Sequence, residues 1–252
     1  MNAPDWLIAR PIAHRGLHAR ARGVIENSPS AASAAVAGGF AIECDVQISR
    51  DGEAMVFHDF ELERLTGETG ALRDRTASDL ARIQLSGSED SVPTLEGWLA
   101  LVGGRTPVIC EIKSSFDGDM GLAARTARIA KTYAGPIALK SFDPDIVAWL
   151  RREASALGVN HIPVGLVAQA AYTHADWRKL DARQLGEMTA LTHWARTRPD
   201  FLSWSVNDLP HPAPSICKAL GIPVMAWTVR RPDQVKLAHA FTDQMIFEGF
   251  TP

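Results

Sequence analysis

The chain has 252 residues, of which 46% are hydrophobic and 22% charged, and its formal net charge is -3 at pH 7. This length suits one large α/β barrel or two smaller domains, and it is sufficient to bury a full hydrophobic core. Because the chain is slightly acidic, it lacks the basic field that neutralises nucleic-acid phosphates, and we expect no nucleic-acid partner.

The sequence also indicates a cytoplasmic location. The N-terminal stretch MNAPDWLIARPIAHRG has neither the basic start with a long apolar core nor the cleavage site of a signal peptide. No apolar run approaches the roughly 20 residues that span a bilayer, so we expect no integral membrane segment. The cysteines, Cys44, Cys110 and Cys217, are odd in number and lack CxxC spacing, which argues against a disulfide framework and a zinc site. The sequence leaves the oligomeric state open.

Short apolar or β-branched runs alternate along the chain with segments of helical period. The predicted strands, in chain order, are LIARPIAH, FAIECDV, TPVICEI, PIALKSF, HIPVGLV, FLSWSV, IPVMAWTV and QMIFEG. The predicted helices between them include PSAASAAVAGG, TLEGWLALVG, GLAARTARIAKTYAG, PDIVAWLRREASALG and RPDQVKLAHAF. Eight strands with interleaved helices in about 250 residues predict an α/β fold of the (β/α)8 TIM-barrel type. A doubly wound open sheet is the alternative, but no G-x-G-x-x-G turn follows the first strand.

The stretch from Asp59 to Pro93 interrupts this alternation. It is too long for a simple βα loop and too polar for a core helix. We therefore predict a single TIM-barrel domain over residues 1–252, with residues 59–93 as an insertion at the barrel mouth after the second strand.

Charged residues stand at the ends of the first predicted strands, where apolar residues are expected. Because residues two apart in a strand share a face, Glu43 points with Asp45, and Glu111 points with Lys113. His14 ends the first strand. In a TIM barrel all five groups meet at the rim that carries the active site. We therefore expect these charges at the rim, where no core has to absorb them.

The carboxylates of this rim favour a hard cation. Glu43, Asp45 and Glu111, without an accompanying cysteine or HxH pair, suit Mg²⁺ or Ca²⁺ better than zinc. A solvated edge strand would also explain Glu43 with Asp45, but Glu111 in a barrel interior weakens that interpretation.

The histidines and cations suggest a reaction. His14 and His58 beside a metal are suited to taking a proton from one oxygen and giving one to another, as phosphodiester cleavage requires. Arg15 and Lys113 can hold non-bridging phosphate oxygens. Trp227 ends the seventh strand and is either core or an aromatic wall for a ligand.

Other conspicuous side chains have structural interpretations. Cys44 and Cys110 face away from the acids and are expected to pack under helices. The remaining histidines are expected to be hydrogen-bonded structural residues or exposed: His18, His161, His174, His193, His211 and His239.

Several motifs occur in the order found in one enzyme family. They are HRG, ENS, ECDVQISRDGEAMVFHD, VPTLEGWL, EIK, KSF and AWTV. From Ile12 to Trp227 the chain thus resembles the glycerophosphodiester phosphodiesterase family; EIK alone is weak, but HRG with E-x-D and HD at this spacing is specific. The resemblance implies a TIM barrel that hydrolyses glycerophosphodiesters to glycerol 3-phosphate and an alcohol and that requires a divalent cation.

The resemblance also implies a role for each matching residue. The implied roles are His14 and His58 as the acid/base pair; Glu43, Asp45 and Glu111 as metal ligands; Arg15 as a phosphate contact; Lys113 beside metal and phosphate; and Glu26 with Asn27 in the inner shell of the site. Residues 59–93 correspond to the family's insertion, which borders substrate entry.

Three positions depart from the family pattern. Where the family has Thr after EN and Asn after WTV, this chain has Ser28 and Arg230, and the usual ending D-G-I-x-T-D-x-P becomes FEGFTP. We expect these positions around the far rim, where they leave the chemistry intact and affect the preference for the leaving alcohol.

The leading hypothesis is a cytoplasmic, metal-dependent phosphodiesterase of lipid and glycerol metabolism that cleaves deacylated phospholipids such as glycerophosphocholine or glycerophosphoethanolamine. A lysophospholipase D-like enzyme acting on acylated glycerophospholipids is the close alternative, which the charged stretch ELERLTGETGALRDR does not favour. A binding barrel without catalysis would have lost a histidine, and an amidohydrolase-type zinc enzyme would need H-x-H where this chain has H-R-G. The sequence leaves open the choice of Mg²⁺ or Ca²⁺, the identity of the acid and the base, and whether water or the glycerol 2-hydroxyl attacks phosphorus.

Overall fold

A computed structural model of the protein describes residues 3–173, 177 and 179–252. The strands in this part of the chain are β1 (Ile12–Ala13), β2 (Ala41–Ile48), β3 (Ala54–Val56), β4 (Val108–Ile112), β5 (Ile137–Ser141), β6 (Val164–Ala168), β7 (Phe201–Ser205), β8 (Val224–Val229) and β9 (Gln244–Phe247). All are parallel except β3, which runs antiparallel to β2. Because β1 pairs with both β2 and β9, the eight parallel strands close into a barrel. The predicted (β/α)8 TIM barrel and its eight strands are confirmed.

Helices cover the outside of the barrel. Those in the described part of the chain are α1 (Pro29–Ala37), α2 (Ala77–Leu80), α3 (Leu95–Val102), α4 (Gly121–Thr132), α5 (Pro144–Leu157), α6 (Ala182–Ala190), α7 (Trp194–Thr197), α8 (Pro212–Ala219) and α9 (Pro232–Phe241). Ser28, Thr94 and Asp143 begin α1, α3 and α5 as side-chain caps, and Gly103 and Gly158 end α3 and α5 in the left-handed conformation. The five predicted helical segments are confirmed as α1, α3, α4, α5 and α9.

The interior of the barrel has two layers. Towards the N-terminal ends of the strands it is apolar, with one buried cluster formed by Leu7, Ile12, Ala41, Ile109, Ala138, Phe201, Met225 and Ile246. Gly165 belongs to this packing, because a Cβ at that position would lie 2.3 Å from the ring of Phe201. The side chains two residues further along several of these strands are charged or polar. Strand parity therefore stacks a polar layer on an apolar one inside a single barrel.

Residues 59–93 supply most of a second apolar cluster, which they share with residues outside the segment. Leu62, Leu65, Leu72, Leu80, Leu85 and Val92 from this segment are buried in a second cluster with Ile25, Met55 and Phe57. The segment contains α2 and the 3-10 turn Leu72–Asp74, and its apolar residues are spread singly among polar ones. This spacing explains why the sequence reads as polar although the segment packs tightly beside the end of β3.

The cysteines and most remaining histidines have structural positions. Cys44, Cys110 and Cys217 are buried free thiols. All three pack in the apolar layer between strands and helices, together with residues such as Trp98 and Ile146, as predicted for the first two. His161 and His239 are exposed, His193 is buried, and His211 caps α8 and stacks on Trp204. His174 lies outside the described residues. None of the described helices is long and apolar enough to cross a membrane.

Candidate active site

The polar layer of the barrel gathers the carboxylates identified in the sequence. Asp45, Glu111 and Lys140 are direct cross-strand partners on β2, β4 and β5, and Glu43 precedes Asp45 on the same face of β2. One oxygen from each of Glu43, Asp45 and Glu111 lies within 4.8 Å of the others. The closed barrel therefore brings the three acids into one cluster.

These acids are buried, which corrects the expectation that they would stand at the rim without being absorbed by a core. Glu43 and Asp45 are 1% exposed and Glu111 is 4% exposed. Full burial of three carboxylates is costly unless opposite charges and hydrogen bonds accompany them. The barrel interior must therefore supply those partners.

Three cations provide the compensation. Lys113 Nζ lies 2.8 Å from Asp45 Oδ1 and 2.6 Å from Glu111 Oε1. Lys140 Nζ lies 3.0 Å from Glu43 Oε1 and 3.1 Å from Glu111 Oε2, and Arg15 Nε lies 3.1 Å from Asp45 Oδ2. Three carboxylates and three cations thus form one buried ion network, and Arg15 extends it to Glu26.

The network keeps Asp45 and Glu111 ionised. Burial alone would raise the pKa of Glu111, but the charges of Lys113 and Lys140 lower it to about 2. Burial also opposes ionisation of Asp45, but Lys113 and other nearby cations hold its pKa well below the usual range. The pKa of Lys140 is raised because Glu43 and Glu111 outweigh the effect of its burial. Asp45 and Glu111 are thus carboxylates at neutral pH, and their oxygens are available as metal ligands.

The donor set fits a hard divalent cation. Three carboxylates converge, and the nearest thiols, Cys44 and Cys110, lie in the layer between strands and helices instead. Asn27 fixes Asp45 on both sides: its Nδ2 donates to Asp45 Oδ2 at 3.0 Å, and its Oδ1 accepts from the Asp45 backbone N–H at 3.2 Å. Oxygen donors of this kind suit Mg²⁺ or Ca²⁺.

The HRG turn places Arg15 against this cluster. Arg15 has φ 56° and Gly16 has φ 80°, so two successive residues are left-handed just after His14, which follows β1. A Cβ on Gly16 would lie 2.8 Å from Ala31, and glycine therefore allows the turn to approach α1. The Arg15 backbone N–H donates to Glu43 Oε2 at 3.2 Å, and its Nη1 donates to Glu26 Oε1 at 2.6 Å. The unusual backbone of a non-glycine residue is the kind of strain found at functional sites.

Each of the two predicted histidines is paired with a carboxylate. His14 Nδ1 lies 2.7 Å from Glu248 Oε2, and His58 Nδ1 lies 2.6 Å from Asp59 Oδ1. If Nδ1 carries the hydrogen of that bond, Nε2 is the nitrogen left for proton exchange. His14 Nε2 lies 4.0 Å from Glu43 Oε2, so one of these rings borders the carboxylate cluster.

Sequence reasoning missed Lys140 and misplaced Glu248. A lysine inside the apolar run PIALKS was a usable signal for Lys140, which is 2% exposed. Glu248 belongs to the ending FEGFTP that was expected at the far rim, yet it bonds His14, and Arg230 Nη2 lies 2.8 Å from its Oε2. Ser28 is also not at the rim, because it is buried and caps α1. Of the positions that depart from the family pattern, Glu248 and Arg230 therefore lie beside His14, and Ser28 lies in the core.

Trp227 is both a partly buried residue of the apolar layer and a member of an aromatic group at the barrel mouth, the two interpretations that the sequence left open. It is partly buried against the apolar layer, and its Nε1 donates to the Ser203 carbonyl oxygen at 3.0 Å. Its ring meets Phe142 edge to face at 5.3 Å, at the carboxyl ends of β8 and β5. Phe142 in turn contacts Trp177 at 5.1 Å, so Trp227 belongs to an aromatic group at the mouth.

Comparisons with known proteins identify the family and the fold that the chain resembles. Residues 14–247 match the model of the glycerophosphoryl diester phosphodiesterase family. A glycerophosphodiester phosphodiesterase of Caldanaerobacter subterraneus subsp. tengcongensis is 26% identical over 246 residues, covering 93% of this chain and 92% of that protein. A probable glycerophosphodiester phosphodiesterase 2 of Mycobacterium tuberculosis is 28% identical over 201 residues, covering 76% of this chain and 69% of that protein. The structure of an Oleispira antarctica phosphodiesterase in complex with the product sn-glycerol-3-phosphate has a TM-score of 0.75 at 20% identity, with 96% of this chain and 93% of that chain covered.

Proposed function

The chain belongs to the glycerophosphoryl diester phosphodiesterase family, and from this premise we propose that it hydrolyses glycerophosphodiesters to glycerol 3-phosphate and an alcohol with the help of Mg²⁺ or Ca²⁺. The observation that carries the proposal is the pair of carboxylate-held histidines, His14 and His58, at the mouth of a barrel with three clustered acids. Two held imidazoles suit a reaction in which one oxygen loses a proton and another gains one.

The two histidines divide the proton transfers between them. One imidazole accepts the proton of the attacking hydroxyl group or water, and the other donates a proton to the departing alcohol oxygen. Glu248 and Asp59 hold the two rings through Nδ1, which orients them and stabilises the imidazolium that each becomes during the cycle.

Arg15 and Lys113 neutralise the non-bridging phosphate oxygens. Their side chains are 16% and 14% exposed, whereas that of Lys140 is 3% exposed. The two more accessible cations are thus suited to meet an anionic substrate, and Lys140 serves as an internal counter-charge of Glu43 and Glu111. Phosphate binding by guanidinium and ammonium groups follows from their charge and hydrogen-bond donors.

Glu43, Asp45 and Glu111 would hold the divalent cation, which when bound supplies a Lewis acid that stabilises negative charge on the phosphoryl group. Asn27 keeps Asp45 in place, and Glu26 keeps Arg15 in place. These two residues form the inner shell that orients the groups in contact with the substrate.

The wider parts of the proposal concern the domain and its surroundings. We assign residues 1–252 to one domain, and residues 59–93 to an insertion that borders substrate entry. Two contacts support the place of the insertion: Asp59 bonds His58, and Arg64 bonds Glu26. Trp227 and its aromatic neighbours form a wall for the leaving alcohol. The buried free thiols suit the cytoplasm, where deacylated phospholipids are the substrates we propose.

The test is a substrate panel. Purified protein is incubated with glycerophosphocholine, glycerophosphoethanolamine and a lysophosphatidylcholine, with Mg²⁺ or Ca²⁺, and the release of glycerol 3-phosphate and of lysophosphatidic acid is measured. We expect glycerol 3-phosphate from the deacylated diesters. Release of lysophosphatidic acid alone would support the acylated substrate instead, and no product from any diester would refute the proposal.

Replacement of Glu248 by Gln is expected to lower kcat by about 10- to 100-fold, the effect known for carboxylates that orient metal-ligating histidines, because Glu248 orients His14 in the same way. The amide keeps the volume of the side chain but loses the charge that holds His14 and stabilises its imidazolium. The measurement is steady-state kinetics on the best diester of the panel. Glu153→Gln is the matched control, since Glu153 pairs with Arg152 on the exposed surface; equal kcat values for the two variants would contradict a role for Glu248.

A further inference from the structure

We propose that Arg64, a residue of the insertion, is a positioning residue that ties together the supports of His58 and Arg15. The inference rests on the proposed function, because it concerns the placement of two groups in that reaction. Arg64 itself contacts neither His58 nor Arg15; it acts through the carboxylates Asp59 and Glu26.

One guanidinium group joins the two carboxylates. Arg64 Nη1 and Nη2 donate to Glu26 Oε2 at 2.9 Å and to Glu26 Oε1 at 2.7 Å. Its Nη2 also donates to Asp59 Oδ1 at 2.9 Å, and its Nε donates to Asp59 Oδ2. All three nitrogens of the guanidinium are therefore used, and each carboxylate receives two bonds.

The same carboxylate oxygens hold the groups of the site. Asp59 Oδ1 faces His58 Nδ1 at 2.6 Å, and Glu26 Oε1 accepts from Arg15 Nη1 at 2.6 Å. A continuous network thus runs from His58 through Asp59, Arg64 and Glu26 to Arg15. A shift of Arg64 therefore moves both Asp59, which holds His58, and Glu26, which holds Arg15.

The insertion fixes the backbone of Arg64. Leu62 is fully buried and Leu65 is 2% exposed in the second apolar cluster, which includes Met55 of β3, so the chain on both sides of Arg64 is anchored. Thr66 closes the turn, since its backbone N–H and its Oγ1 both donate to the Leu62 carbonyl oxygen, at 3.1 and 2.8 Å. The second apolar cluster therefore holds the guanidinium of Arg64 in a defined position.

Charge explains why the position requires a cation. Burial would raise the pKa of Glu26, but the hydrogen bonds from Arg64 and the charge of Arg15 lower it to about 2. Asp59 responds in the same way: burial opposes ionisation, while His58 and Arg64 lower its pKa. Without Arg64 the two anions would repel each other, and Asp59 would be free to turn away from His58.

An ordinary surface ion pair is the competing explanation. Arg64 is 44% exposed, and isolated exposed pairs contribute little. The bidentate geometry on both partners, which are only 14% and 22% exposed, distinguishes this guanidinium from such a pair. Lysine carries the same charge but lacks the planar arrangement of donors that meets two carboxylates together.

The test compares Arg64→Gln and Arg64→Lys with Arg82→Gln. Arg82 is a matched control because it lies in the same insertion and pairs with Asp79 at 70% exposure. We expect Arg64→Gln to lower kcat by about 10- to 100-fold with little change in KM, as for other partners that orient functional groups. Arg64→Lys is expected to recover part of the loss, and Arg82→Gln to behave as the wild type.

A second measurement does not depend on activity. The protein is labelled with ¹⁵N-histidine, and the NMR signals of the ring nitrogens report the tautomer of each histidine. The signals of His58 are identified because they disappear in the variant His58→Gln. We expect one dominant Nδ1–H form in the wild type and in Arg82→Gln, and a mixture of forms in Arg64→Gln. If Arg64→Gln fails to fold, the same comparison with Arg64→Lys decides.

The outcomes separate the two proposals. A wild type that hydrolyses no diester, but in which the tautomer responds to Arg64, overturns the proposed function and retains the positioning role. Arg64 variants with wild-type kcat and an unchanged His58 tautomer overturn the positioning role, whatever the substrate of the enzyme.

Discussion

His14→Ala and His58→Ala are each expected to lower kcat by about 10²- to 10⁴-fold, the usual contribution of a general acid or base. Each ring is held through Nδ1 by a carboxylate, so removal of either one leaves a proton transfer without its group. The barrel core does not depend on them, because both residues follow the ends of their strands. Steady-state kinetics on a natural diester, with circular dichroism to verify folding, provides the measurement.

A substrate with a good leaving group assigns the two roles. The p-nitrophenyl ester of glycerol phosphate releases a phenolate, which needs no proton to depart, so the variant that lacks the acid should be partly rescued. The variant that lacks the base should stay slow on both substrates. His239→Ala is a suitable control, since His239 is exposed on α9. Near-normal rates of both variants on the natural diester would show that the two histidines are structural.

Removal of the divalent cation is expected to abolish turnover, and added Mg²⁺ or Ca²⁺ is expected to restore it. The physical reason is the clustering of three carboxylates within 4.8 Å, because carboxylate oxygens are the ligands that a hard cation prefers. Full activity in excess chelator would exclude this assignment. The measurement is the release of glycerol 3-phosphate before and after dialysis against chelator.

Single ligand variants locate the cation. Glu43→Gln and Asp45→Asn keep the size of the side chains but remove one negative charge each, and calorimetric titration should show clearly weaker Mg²⁺ or Ca²⁺ binding. Cys44→Ala is the matched control, because Cys44 lies between them on β2 but packs in the apolar layer between strands and helices. Since the acids belong to a buried ion network, thermal unfolding must be measured in parallel; loss of one partner of a buried pair often costs about 3 to 5 kcal/mol. Folded variants that titrate like the wild type would show that these acids serve only the ion network.

Much of the fold was accessible from local patterns. The alternation of apolar runs with helical periods predicted eight strands and five of the helices, since periodicity depends only on neighbouring residues. Strand parity likewise predicted that Glu43 points with Asp45 and that Cys44 points away. The helices α6 and α7, which lie between β6 and β7, were not among the predicted segments, and α7 has only the four residues Trp194–Thr197.

Part of the candidate site was also predicted from patterns among neighbouring residues. Motifs within a few residues of each other, such as HRG and ECD, identified groups that the barrel brings together. Lys140 was overlooked because a single lysine in an apolar strand does not show its partners. Arg64 was overlooked because its role depends on Asp59 and on Glu26, which lies 38 residues away.

Burial and pairing were decided only by the tertiary structure. By itself the sequence determined which residues share a face of a strand, and hence which side chains enter the barrel. It did not determine that the acids are buried with three counter-charges, because those cations come from different strands and turns. The clearest case is His14 and Glu248, 234 residues apart. Barrel closure aligns Ile12 of β1 with Ile246 of β9. The inward-facing residues two positions further along the chain, a histidine and a glutamate, then meet in a hydrogen bond.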